Sequence, residues 1–71
     1  MDNIVSTSIC VDNSAFGDTY ESQAYELARI FRSLADRVES CPAILNPING
    51  PVVQIYDLNG NVVGAMRVHK E

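Results

Sequence analysis

Histidine occurs once in this chain, cysteine twice, and basic residues number only five against nine acidic ones. Each scarcity excludes something. One imidazole, His69, makes neither a transition-metal site nor a catalytic triad. It sits two residues from the C-terminus with no partner in view, which reads as a solvated side chain. Cys10 and Cys41 are too few for a disulfide scaffold, so the expectation is two free thiols used as small apolar residues. A net charge of −4 disfavours a nucleic-acid binder, which would carry a basic patch. No apolar run approaches the roughly 20 residues that span a bilayer. MDNIVSTSIC lacks the basic start and long apolar stretch of a secretory signal, so the expected compartment is the cytoplasm. No phosphate-cradling glycine loop, G-x-S-x-G or H-E-x-x-H occurs, and the expectation is a protein without enzymatic activity, cofactor or metal.

What is present describes one small domain over residues 1–71. Hydrophobic residues make up 46% and charged residues 20%, a globular balance. A chain this short buries only about 60% of its unfolded surface, so a partner or a second copy would help it.

The segment Ile4 to Val11 is rich in β-branched residues and alternates. Val5, Thr7, Ile9 and Val11 form the more apolar face of a predicted strand, with Ile4, Ser6, Ser8 and Cys10 on the other. DNSAFG follows as a turn in which Phe16 is positioned to plug one end of a core. From Asp18 the pattern becomes helical for about six turns. Asp18 is the predicted N-cap and Glu21 completes a capping box. Ala24, Leu27, Phe31, Leu34 and Val38 form the predicted apolar stripe, widened by Ala28 and Ala35. The predicted polar surface of the helix carries Glu26, Arg29, Arg32, Asp36 and Arg37, with Arg32 and Asp36 spaced to pair.

Pro42 ends the helix, and the irregular connection to Pro51 lies against the edge of the core. Two apolar runs then flank Asn59-Gly60, a hairpin signal that predicts a two-residue type I′ turn. That register pairs Leu58 with Asn61, Tyr56 with Val63 and Ile55 with Gly64. It places Val53, Ile55, Val62, Met66 and Val68 toward the helix. Gln54, Tyr56, Val63, Ala65 and Arg67 fall on the opposite face. The fold class is α+β, in the order β-α-β-β, with one amphipathic helix on a three-stranded sheet. Strand order 1-3-2 is favoured over 1-2-3.

Asp57, Asn59 and Asn61 alternate like the start of a calcium loop, but the required glycine and bidentate glutamate are replaced by Val62 and Val68. The stretch reads as a turn. One helix covers one sheet face, so Gln54, Tyr56, Val63, Ala65 and Arg67 become the candidate partner interface: half apolar, with a tyrosine and an arginine.

Asp12-Asn13-x-Ala15-Phe16, then Glu26-x-Ala28-Arg29 with Arg32, Leu34 and Ala35, then Asp57-x-Asn59-Gly60-Asn61 with Val63 and Gly64 resemble a group of small phage and prophage proteins. The likeness covers nearly the whole chain, although the connection from Cys41 to Pro51 is longer and richer in proline than the usual form. The resemblance implies phage origin and a shared fold. Small phage accessory proteins often bind and block a host protein, anti-CRISPR and anti-restriction proteins among them. The expectation is therefore an inhibitor of a host defence system that binds a host protein and forms a homodimer. The alternative is a nucleic-acid-associated regulator using Arg29, Arg32 and Arg37.

Overall fold

In a computed structural model describing residues 2–71, the helix packs on one side of an antiparallel sheet. Strand β1 is Asn3–Ile9, helix α1 is Tyr20–Ser40, and strands β2 and β3 are Val53–Tyr56 and Val62–Lys70. The sheet order is β1-β3-β2, as the sequence favours, and β3 pairs antiparallel with both neighbours. Two short 3-10 turns, Ser14–Phe16 and Pro42–Leu45, close the ends of the core.

Strand β1 ends two residues short of the expected Val11, although Ile9 and Val11 still pack against the core. Phe16, from the first 3-10 turn, is fully buried among Ile30, Leu34, Ile44, Val53, Ile55, Val63 and Met66. The helix starts one residue later than Asp18 as N-cap would place it. Thr19 is the N-cap: its hydroxyl accepts the Ser22 N–H at 3.1 Å, and Ser22 Oγ accepts the Thr19 N–H at 3.2 Å. Ser22 Oγ also donates to the Phe16 carbonyl at 2.8 Å, so the cap is tied to the plug. That third partner is what Asp18 and Glu21 lack.

The buried line along α1 is Glu26, Ile30 and Leu34, rotated from the predicted stripe. Phe31, expected in the core, is 51% exposed, and Ala24 is exposed. The rotation follows from Glu26, whose carboxylate finds backbone and side-chain donors at the hairpin and so can be buried. The anticipated Arg32–Asp36 pair is replaced by Arg29–Glu26, the ion pair formed among the described residues.

The hairpin turn differs from the type I′ form. Gly60 has φ of 84°, but Asn59 stays at negative φ. Asp57 N–H donates to the Asn61 carbonyl at 2.9 Å and Gly60 N–H to the Asp57 carbonyl at 3.1 Å. The loop is thus Leu58-Asn59-Gly60, a tight turn closed by one left-handed glycine. The additional loop residue is absorbed by a bulge: Ile55 still opposes Gly64, but Tyr56 opposes Val62. Val63 therefore turns into the core, 9% exposed, and Val62 turns out, 58% exposed, reversing the predicted assignment of the two valines. Gly64 is needed by β1: a Cβ there would collide with the Ser8 carbonyl oxygen and lie 3.0 Å from Ile9 Cα.

Candidate interaction surfaces

The segments most suggestive of chemistry in the sequence meet at one end of the sheet. Asp57, in the hairpin, is buried. Its Oδ1 accepts the Asn59 and Asn61 N–H groups, each at 2.9 Å, and its Oδ2 accepts from the Asn13 side-chain amide. Asn13 in turn caps the first 3-10 turn by accepting the Ala15 N–H at 2.9 Å. Glu26 is 3% exposed. It accepts Arg29 Nε at 2.7 Å and Nη2 at 3.0 Å, and its Oε2 also accepts the Leu58 N–H at 2.8 Å. The two carboxylates hold the loop from both sides, Asp57 from within and Glu26 from the helix. No buried side-chain polar atom among the described residues lacks a partner.

Their titration follows from these donors. The Arg29 guanidinium, helped by the Leu58 N–H, holds the Glu26 carboxyl below its ordinary range against the opposing effect of burial. For Asp57, burial pushes the pKa up. The bonds from Asn13, Asn61 and Asn59 outweigh it and leave the group below its usual value. In the Asp57→Ala variant, Asn13 loses its partner in the hairpin and two turn N–H groups lose their acceptor. A thermal melt should show Tm lower by at least about 5 °C. A variant melting with the wild type would rule out this role.

The candidate partner face is rearranged by the bulge. Gln54, Tyr56, Ala65 and Arg67 lie on the sheet face away from the helix, as predicted, with Tyr56 half-exposed. Val63 does not belong to it, and Val62, opposite Tyr56, takes its place. Strand pairing adds Ile4, Ser6 and Ser8, opposite His69, Arg67 and Ala65. His69 is partly buried rather than solvated, and its Nε2 lies 2.8 Å from Ser6 Oγ.

The predicted polar helix surface divides in three. Glu26 is buried. Arg29 and Arg37 reach the outer edge of β2, where Arg37 Nη1 donates to the Gln54 carbonyl at 2.7 Å and Arg29 Nη2 to the Tyr56 carbonyl at 3.4 Å. Arg32 and Asp36 are exposed. Both thiols are free and exposed, so neither Cys10 nor Cys41 serves the apolar packing role expected of it.

One surface is absent from the sequence reading. A cleft of about 650 Å³ runs between α1, the second 3-10 turn and β3, lined chiefly by Phe31, Leu34, Ala35, Val38, Leu45 and Met66. Phe31, left at the surface by the rotation of the helix, forms part of its wall. No family model, curated protein or solved structure matches this chain. Among the described residues, no helix is long and apolar enough to cross a membrane.

Proposed function

We propose that this chain is a non-enzymatic phage or mobile-element accessory protein that binds a host protein in the host cytoplasm, as an inhibitor of a host defence system of the anti-CRISPR kind. The observation that carries the binding role is the sheet face opposite the helix. Tyr56 and Val62 stand side by side on it, flanked by Gln54, Ala65 and Arg67, and among the described residues no element covers them. A tyrosine and an arginine on a rigid, half-apolar surface are the residue types that anchor protein interfaces. The resemblance of the Asp12–Phe16 and Asp57–Gly64 segments to small phage proteins supports the origin. Binding rather than catalysis also suits the two buried carboxylates, Glu26 and Asp57, whose oxygens are engaged in holding the hairpin.

The nucleic-acid reading loses support from the same geometry. Arg29 and Arg37 are engaged with Glu26 and with the β2 carbonyls, which leaves Arg32 as the exposed helix arginine without such a contact.

Tagged wild-type protein in host lysate should capture a protein partner. The Tyr56→Ala, Arg67→Glu double variant should bind that partner at least about tenfold more weakly, the loss expected for removing a central aromatic anchor and reversing a charge. Equal binding by the folded double variant would exclude this face.

A further inference from the structure

The two edges of the sheet are treated differently. Strand β2 is four residues long, follows Pro51 and lies opposite a bulge that Val63 makes in β3. Its outward carbonyls at Gln54 and Tyr56 already accept from Arg37 and Arg29. Short length, a bulge and covering side chains are the usual means of keeping an edge from pairing. Among the described residues, strand β1 has none of them. Its seven residues, NIVSTSI, contain no charge, no proline and no bulge.

The free groups on β1 follow from the ladder. Cys10 N–H donates to the Val63 carbonyl, and Glu71 N–H to the Asp2 carbonyl. Even-numbered residues of β1 therefore bond to β3, and by antiparallel alternation Asn3, Val5, Thr7 and Ile9 turn their N–H and C=O groups outward. On the helix side of the same strand, Val5 is 54% exposed and Thr7, opposite the cleft residue Met66, is exposed. An unprotected backbone edge thus adjoins an uncovered apolar face.

We propose that β1 pairs antiparallel with β1 of a second copy about a two-fold axis through Ser6, joining two three-stranded sheets into one. The occupant is argued from self-complementarity. About Ser6, Val5 of one protomer faces Thr7 of the partner subunit, and the outward groups of both meet as hydrogen-bonded pairs. No charge on either strand opposes contact. The axis runs perpendicular to the sheet, so both helices lie on the same side and the two clefts face each other over the joined strands. One operation satisfies the edge and covers Val5, Phe31 and Leu45. The paired edge is about 24 Å long, and the molecule is 17 Å across in its thinnest direction. That footprint falls at the small end of specific interfaces, which sets a reversible dimer in the micromolar range. The opposite sheet face stays free, doubled in area, so this inference stands apart from the host-binding role and is tested without any host protein.

Sedimentation equilibrium from about 1 μM to about 1 mM should show a monomer–dimer equilibrium. Thr7→Pro removes an outward N–H without removing a bond to β3, and proline is tolerated on an edge strand. It should raise the dissociation constant at least about thirtyfold, because two-fold symmetry counts the loss twice. Amide hydrogen exchange of the wild type supplies a readout independent of any variant. Protection of Val5 and Thr7 should rise with protein concentration, whereas Ser6 and Ser8 should be protected at every concentration. A monomer throughout, or a dimer in which Val5 and Thr7 continue to exchange rapidly, would overturn the proposal.

Discussion

Phe16→Ala should lower the unfolding free energy by about 3–5 kcal/mol. The side chain is fully buried and belongs to the one core cluster that joins residues of α1, β2 and β3. A domain of this length holds only about 4–10 kcal/mol in total, at typical values per residue. The variant should therefore be largely or partly unfolded at room temperature, with a urea midpoint close to zero. Two features make the site rigid. Asn13 fixes the backbone ahead of Phe16, and the Phe16 carbonyl accepts the Ser22 hydroxyl at the start of α1. The surroundings are thus poorly placed to collapse into the space left behind, which puts the cost toward the upper end. Phe16→Leu, which keeps most of the apolar volume, should lose clearly less. A loss under about 1 kcal/mol for alanine would mean that the core does not close around this ring.

Glu26→Ala should cost about 2–4 kcal/mol. The carboxylate has three donors, and its removal leaves the Leu58 N–H without an acceptor and Arg29 without its counter-ion. The Arg29 side chain keeps 35% of its surface exposed and can rehydrate, so the effect stays below that of a fully enclosed pair. The same contacts set a pH dependence. Because the folded carboxyl titrates below the ordinary value of 4.5, the unfolded chain binds the proton more readily there. The stabilisation is complete above pH 4.5 and is lost as pH falls through the folded value. Asp57 acts with the same sign from its ordinary 3.8 downward. Stability measured from pH 7 to pH 3 should decline steeply in the acid range for the wild type and less steeply for Glu26→Gln. Parallel curves would show that Glu26 does not titrate against Arg29 as described.

Both variants bear on how much could be read in advance. Phe16 was legible because a large apolar residue inside a turn-rich stretch has few stable places to go. Glu26 was not. Its neighbours in sequence, Arg29 and Arg32, mark a polar face, and nothing local records that Leu58 would offer it an N–H from 32 residues away. Val62 and Val63 show the same limit at smaller scale. They are chemically identical neighbours, and a single bulge residue decides which of them is buried. The candidate partner face was therefore correct at Gln54, Tyr56, Ala65 and Arg67 in lying away from the helix, and wrong at Val63.

The sequence by itself determined the element order, the antiparallel hairpin and the long helix, and favoured the central position of β3 over order 1-2-3, because periodicity, the Asn59-Gly60 signal and chain connectivity are local information. Tertiary structure alone decided the rotation of α1, the turn geometry and the edge left open. Each depends on hydrogen-bond partners distant in the chain. Glu26 turns the helix toward Leu58, Asp57 holds the loop that produces the bulge, and Arg29 and Arg37 close β2 while β1 stays bare. A buried polar group must find its partner wherever the fold brings one, and that choice is made in three dimensions.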